Sequence, residues 1–321
     1  IDQLQSEQGA RFYHKRNRNI IIRIPDDYDL ELGQNHRWMT LGQIIKLAQK
    51  DNTINMDTRS VISSISYEPE NILSNRSLDE DELVKCLSDF SLVSNKNASL
   101  GAKLMISSHP NSTALYKFDE ILRKIAKRKF ECELYVNLIP LKKVEKWIQT
   151  PEEIYHPARK FFSVIGVHVE AVNREVSSWD QPIVKQDHPG IVAFIVKEIN
   201  GVLHFLTQLK LESGVMDLLE ISPTVQCITS NYEENAMPSY VDQVTHRENV
   251  MTIADVYQSE EGGRFYRESN KNLILLADES FHAGNDPNFI WMTMGQLKEF
   301  IKFNNFLNVE ARSLLVCIPT S

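Results

Sequence analysis

Gln258-Ser259-Glu260-Glu261-Gly262-Gly263-Arg264-Phe265-Tyr266 repeats Gln5-Ser6-Glu7-Gln8-Gly9-Ala10-Arg11-Phe12-Tyr13 from the start of the chain. The same offset lays Trp291-Met292-Thr293-Met294-Gly295-Gln296 over Trp38-Met39-Thr40-Leu41-Gly42-Gln43. It also lays Asn308-Val309-Glu310-Ala311-Arg312-Ser313 over Asn55-Met56-Asp57-Thr58-Arg59-Ser60, with no insertion or deletion between. A long self-match without gaps marks a duplicated structural unit. Both copies keep arginines, a tyrosine, a tryptophan and Gln-Ser-Glu, which core packing alone does not require. Either each arginine pairs with a carboxylate of its own unit, or the set serves a ligand.

The chain has 321 residues, enough for two domains with cores of their own, and its 42% hydrophobic and 24% charged content is that of a globular protein. No apolar run reaches the roughly 20 residues of a membrane span, and no signal peptide opens the sequence, so a cytoplasmic protein without a membrane role is expected. Cys86, Cys132, Cys227 and Cys317 are widely spaced and read as reduced thiols rather than zinc ligands. A net charge of −8 argues against nucleic acid as a partner, so an anionic ligand would need a local group of arginines.

In chain order, residues 1–67 read as the C-terminal part of a first unit, entered partway through, so the sequence reads as a fragment. Within it, Asn19 to Ile24 is an expected strand, Thr40 an N-cap for a helix through Ile44 and Ala48, and Ser60 to Ile65 a second strand. Residues 68–130 read as a connector: a helix near Asp79 to Asp89, a loop from Asn95 to Thr113, and a basic helix from Leu115 to Phe130 whose cluster Arg123, Lys124, Lys127, Arg128 and Lys129 is a solvated face. Residues 131–321 read as a second, complete unit. It is expected to open with a strand Cys132 to Leu138 and a helix Leu141 to Trp147, followed by a capping box at Thr150-Pro151-Glu152-Glu153. A strand Phe161 to Val172 should follow, then a hairpin of Ile191 to Ile199 with Val202 to Leu211 across Asn200-Gly201, then short strands at Met216 to Ile221 and Val225 to Ile228. This is an α/β pattern, a mixed sheet flanked by helices.

There is no dinucleotide-binding G-x-G-x-x-G, no P-loop, no G-x-S-x-G elbow and no H-E-x-x-H, which weighs against redox, nucleotide-hydrolysing and zinc chemistry. Polar residues are dense in the second unit: Ser178-Trp179-Asp180-Gln181-Pro182, His204, then Glu212, Gly214, Glu220, Thr224 and Gln226. Aromatic rings, amides and arginines together are what a nucleotide sugar requires: a ring for the base, donors for hydroxyls and guanidinium forks for the diphosphate.

Phe161-Phe162-Ser163-Val164-Ile165-Gly166-Val167, Arg174-Glu175-Val176 with Trp179-Asp180-Gln181-Pro182, Pro223-Thr224-Val225-Gln226, Gln258 to Tyr266 and both Arg-Ser ends resemble the NDP-hexose 2,3-dehydratases of deoxysugar biosynthesis. The resemblance implies tandem Nudix-like units, each a mixed β-sheet flanked by helices, in a homodimer. It also implies action on dTDP-4-keto-6-deoxyglucose without metal or organic cofactor, and the sequence lacks the glutamate-rich box of a metal-dependent Nudix hydrolase. The reaction implied is loss of water across C2 and C3, giving a 3,4-diketo-2,6-dideoxy sugar. It needs a base, an acid and donors to the C4 oxygen. Glu220, His204, Tyr266 and Glu260 are candidates for acid or base, and residue type alone does not rank them.

For binding, Trp179 is expected to stack on thymine, and Arg247, Arg264 and Arg312 to surround the diphosphate. Gly262 and Gly263 would give close backbone approach, with Phe265, Tyr266, Ser269, Asn270, Ala311 and Ser313 nearby. Arg11, Tyr13, Arg59 and Ser60 would line a second pocket or the contact between units. Because only the second unit retains the Trp179 to Gln226 segment, Arg264 rather than Arg11 is expected to serve a complete pocket. A Nudix-type diphosphate hydrolase and a non-catalytic nucleotide-sugar-binding or scaffold protein are the competing readings.

Overall fold

In the computed structural model, which describes residues 1–65, 99–110, 112–172 and 174–319, the hairpin of β7 (Ile191–Ile199) and β8 (Val202–Leu211) is the centre of the fold. It turns at Asn200 (φ 52°) and Gly201 (φ 80°), the left-handed pair that a tight primed turn needs. β7 and β8 diverge past the turn. Two short strands fill the gap, β9 (Leu219–Ser222) against β8 and β10 (Val225–Cys227) against β7. On the other edge β7 pairs in parallel with β12 (Ser269–Ala277), which pairs with β11 (Val250–Ser259), while β13 (Phe289–Thr293) closes the β8 side of this seven-stranded sheet.

Alternate residues of β7 face opposite ways, as a pleated strand dictates. Val192, Phe194 and Val196 enter one buried cluster and Ala193 and Ile195 another. The first is covered by α3 (Leu100–Ser108), α4 (Phe118–Glu131), α6 (Met294–Ile301) and α7 (Val309–Leu315), through Leu104, Ile121, Phe300 and Leu314 among others. The second is covered by α5 (Val241–His246) through Val241 and Val244. The connector's helices α3 and α4 therefore belong to the layer over the large sheet. A separate four-stranded antiparallel sheet joins β3 (Ile148–Gln149), β4 (Glu153–Tyr155), β5 (Ser163–Glu170) and β6 (Ser178–Lys185).

The N-terminal stretch supplies β1 (Asp2–Ser6), β2 (Arg16–Ile20), α1 (Leu41–Ala48) and α2 (Met56–Ser63). These fall at the sequence positions matching β11, β12, α6 and α7. Registers correspond as well: Gln5 faces Asn17 as Gln258 faces Asn270. Thr40 and Thr293 each form a capping box with the glutamine three residues on, and Asn55 and Asn308 each cap the next helix.

Several expectations are corrected. Ser60 to Ile65 is not a strand: the Asn55 side chain accepts from Thr58 N–H and starts helix α2, overriding the β-branched Val61 and Ile62. Cys132 to Leu138 is not a strand and has no strand partner among the described residues, and Leu141 to Trp147 forms only a 3-10 turn at Leu141–Lys143. Thr150 caps a turn entering strand β4 rather than a helix, its hydroxyl accepting from the Glu152 and Glu153 amides. The expected loop Asn95 to Thr113 contains α3, capped by Ser99. The helix expected near Asp79 to Asp89, like Cys86, lies outside the described residues. Among the described residues no helix is long and apolar enough to cross a membrane.

Candidate functional site

Arg59 and Arg312 are buried, and each guanidinium reaches from its own helix into the other copy of the Gln-Ser-Glu strand. Arg59 Nε donates to Ser313 Oγ (2.6 Å), its Nη1 to Gln258 Oε1 (3.0 Å) and the Ile54 carbonyl, and its Nη2 to the Ser259 carbonyl (2.8 Å). Arg312 repeats this with Ser60 Oγ (2.8 Å), Gln5 Oε1 (3.4 Å), the Leu307 carbonyl and the Ser6 carbonyl (2.6 Å). Arg312 was expected at a diphosphate; its donors are instead spent on neutral protein acceptors that hold the two copies together. Ser60 and Ser313 are acceptors in that brace, and Ala311 is buried in α7.

The brace brings the loop after β1 against the second copy's sheet. Gly214 N–H donates to the Gly9 carbonyl (2.8 Å), and His14 N–H to the Gly214 carbonyl (2.8 Å). A Cβ on Gly214 would overlap the Phe12 carbonyl oxygen and lie 2.6 Å from that of Gly9. Both obstacles are backbone, so Gly214→Ala is expected to cost about 2–3 kcal/mol of stability. A thermal melt checks this, and an unchanged melting temperature would show that the loop is not clamped.

This docking exchanges the two motif arginines. Arg264 Nη1 lies 3.2 Å from Glu7 Oε2 and 3.0 Å from Glu261 Oε2, with its guanidinium 5.0 Å from the Phe12 ring. Arg11, expected to line a second pocket or the contact between units, is the arginine placed beside the second copy's acids, where Arg264 was expected to serve the pocket. Its Nη2 donates to Gln186 Oε1, its guanidinium lies 4.7 Å from the Phe162 ring, and its buried Nε has no partner among the described residues.

Around Arg11 the carboxylates are held by amides of fixed orientation. Arginine only donates, so Gln186 must present Oε1 to Arg11 and its NH2 to Glu268 Oε1. Asn270 accepts from Gly190 N–H (2.7 Å) and therefore donates to Glu260 Oε1, while Gln8 donates to Glu260 Oε2 (2.6 Å). Asn308 caps α7 with Oδ1 and donates to Gln226 Oε1 (2.7 Å), leaving Gln226 Nε2 to donate to Glu212 Oε1 (3.3 Å). Glu310, in the first turn of α7, is 7% exposed. Its Oε2 and Glu268 Oε2 are buried without partners among the described residues.

Burial raises the proton affinity of the cluster. Glu260 is pushed up to about 7 by desolvation, against the pull of Arg59, Asn270, Gln8 and Arg11. Glu268 is pushed up to about 8 by desolvation and by Glu260, and Glu310 to about 8 by desolvation and then Glu212 and Glu260, with Lys210 opposing. Burial lowers Arg11, while Glu268, Glu212, Glu310 and Glu260 raise it. Carboxyls that change charge near neutrality can both take and give a proton there.

The other candidates are spread out. Burial also lifts Glu220 to about 7, but it faces the brace, where Ser6 Oγ donates to its Oε2 (2.8 Å). His204 is buried in a fixed neutral tautomer: Nε2 accepts from Leu115 N–H (3.0 Å), so Nδ1–H donates to the Val202 carbonyl (2.9 Å), and burial lowers its pKa. Tyr266 is exposed, as is Tyr13, which stacks on His14, and Phe265 is buried edge-on to Phe12. Gln181 links Trp179 to the glycine turn: Trp179 Nε1 donates to Gln181 Oε1 (2.7 Å), and Gln181 Nε2 to the Gly263 carbonyl (2.8 Å). Gly262 and Gly263 border open space. Arg247 is held elsewhere, by Asp255 in mid-β11 (2.8 Å), and Ser269 pairs with Ser259 in the ladder.

Glu268, Glu310, Gln186 and Lys210 were not singled out from sequence. Only Glu310 left a signal there, as an acid matched by Asp57 in the other copy. The rest meet through tertiary contacts that no spacing reveals.

The profile of the NDP-hexose 2,3-dehydratase family matches residues 1–65 and 118–318. A relative from Saccharopolyspora spinosa, named dTDP-4-dehydro-6-deoxy-alpha-D-glucopyranose 2,3-dehydratase, is 38% identical over 99% of this chain and 62% of its own length. One of the same name from Amycolatopsis orientalis is 35% identical over 99% of this chain and 59% of its own. The chain thus spans about three fifths of the length of these curated relatives. A solved structure described as that of an ADP compounds hydrolase overlaps 58% of this chain and 94% of its own at 12% identity, with a TM-score of 0.32, too low to bear on the fold.

Proposed function

The chain belongs to the NDP-hexose 2,3-dehydratase family, and from that premise we propose that it removes water across C2 and C3 of a dTDP-4-keto-6-deoxyhexose, with the hexose at the carboxylate cluster around Arg11. The observation carrying this reading is the set of buried carboxyls, Glu260, Glu268 and Glu310, whose proton affinities are raised to about 7 to 8. The C4 ketone acidifies C3–H. One carboxylate takes that proton and a second carboxyl protonates the departing C2 hydroxyl, each transfer contributing roughly 100- to 10,000-fold. Tautomerisation of the resulting enol gives the 3,4-diketone.

In this reading the open face beside Trp179, Gly262 and Gly263 takes the nucleotide, and the repeated elements are tandem Nudix-like units of a cytoplasmic homodimer. Incubating the chain with dTDP-4-keto-6-deoxyglucose, in parallel in EDTA and in magnesium and without added organic cofactor, tests it by NMR. The expected outcome is loss of the C3 proton and appearance of the diketo product. Magnesium-dependent release of nucleoside monophosphate would make the chain a diphosphate hydrolase instead, and binding without turnover would make it a scaffold.

A further inference from the structure

We propose that Arg11, delivered by the first copy of the motif into the second copy's carboxylate cluster, is the catalytic donor that stabilises the developing C4 oxyanion through its free Nε–H. The inference deepens the dehydratase reading and rests on it.

Three observations converge on the role. Arg11 Nε is buried and has no partner among the described residues, although Nη1 and Nη2 are engaged, by the Ala10 carbonyl (3.2 Å) and Gln186 Oε1 respectively. A buried donor left unmade is costly, so an unspent guanidinium donor marks a place where an acceptor belongs. Its position is over-determined: Phe162 covers the guanidinium at 4.7 Å, Gln186 ties it to Glu268, and the clamp at Gly214 fixes the loop that carries it. Second, Glu268 Oε2 and Glu310 Oε2, on two carboxyls that act on Arg11 electrostatically, are also buried with no partner among the described residues. Third, Glu212, Glu260, Glu268 and Glu310 all act on Arg11 electrostatically. A diphosphate would oppose ionisation of the carboxyl that must act as base. A neutral ketone that gains one charge only as the reaction proceeds is compatible with those acids, and a preorganised donor stabilises that charge most where water is excluded.

The step balances. A carboxylate takes the C3 proton, the C–H electron pair becomes the C3–C4 double bond, and the carbonyl pair moves onto O4, which accepts from Arg11 Nε–H. The pair then returns to restore the C4 carbonyl, the C2–C3 double bond forms, and the C2 hydroxyl leaves as water with a proton from a second carboxyl.

The experiment compares wild type, Arg11→Gln and Arg11→Lys for turnover of dTDP-4-keto-6-deoxyglucose, for C3 hydrogen exchange in D2O, and for dTDP affinity and melting temperature. The expected result for Arg11→Gln is a fall of roughly 100- to 1,000-fold in both kcat and C3 exchange, with dTDP affinity changed less than about threefold. Arg11→Lys should recover part of the exchange. Arg11→Gln that exchanges and eliminates at the wild-type rate, or one that keeps kcat but loses dTDP affinity, would overturn the oxyanion role while leaving the dehydratase reading intact. A folded wild type that neither exchanges nor eliminates would overturn both.

Discussion

Arg59→Met and Arg312→Met should each destabilise the protein by about 3 kcal/mol, because each strands several buried acceptors at about 1 kcal/mol or more apiece. For Arg312 these are Ser60 Oγ, Gln5 Oε1 and the carbonyls of Leu307 and Ser6; for Arg59 they are Ser313 Oγ, Gln258 Oε1 and the carbonyls of Ile54 and Ser259. Methionine recovers the apolar stem and removes the cost of burying a charge, which keeps the loss below the sum of the parts. Lysine should be no better than methionine, since a single ammonium cannot span acceptors arranged for a guanidinium fork. Because the arginines meet through neighbouring serines, the double variant should be less destabilised than the two single losses added together. Urea denaturation reads all three quantities. If both methionine variants keep the wild-type midpoint, the brace contributes nothing.

This brace also explains what the sequence could and could not tell. The self-match pointed to a role for the arginines beyond packing, and pairing within one unit, binding a ligand or, for Arg11 and Arg59, lining the contact between units were the readings. In the structure Arg59 and Arg312 each bond the strand of the other copy, and the individual partners are invisible until two segments some two hundred residues apart are folded together. The same exchange carries Arg11 into the neighbourhood where Arg264 was expected. Local signals read well where a residue sets its own backbone, as where Thr40 caps α1 and where Asn200-Gly201 takes the left-handed turn. They failed at Ser60 to Ile65, where β-branched residues hide a helix started by Asn55, and at Cys132 to Leu138, which pairs with no strand among the described residues. Glu268 and Gln186 belong to different sheets' ends and could be joined only by the fold.

Glu310→Gln is expected to make the protein more stable at pH 8 and, in the proposed reaction, much less active. In the folded chain Glu310 and Glu268 are pushed up to about 8 and Glu260 and Glu220 to about 7, all from 4.5. The folded state therefore holds protons that the unfolded state has released between about pH 4.5 and 8. Stability from these groups is fully present below about 4.5, declines as pH rises through the folded values, and is lost above about 8. Glutamine keeps the shape of the protonated carboxyl and cannot ionise, so Glu310→Gln should match the wild type near pH 5 and exceed it at pH 8, giving a shallower fall of melting temperature with pH. The chemistry moves the other way: a carboxamide neither takes the C3 proton nor returns one, and the loss of one proton-transfer group should cost roughly 100- to 10,000-fold in kcat. A structural carboxyl would show the stability change alone, and a catalytic one shows both. Melting curves and turnover measured together from pH 5 to 9 decide it, and a Glu310→Gln protein that melts below the wild type at pH 8 would refute the buried-proton account.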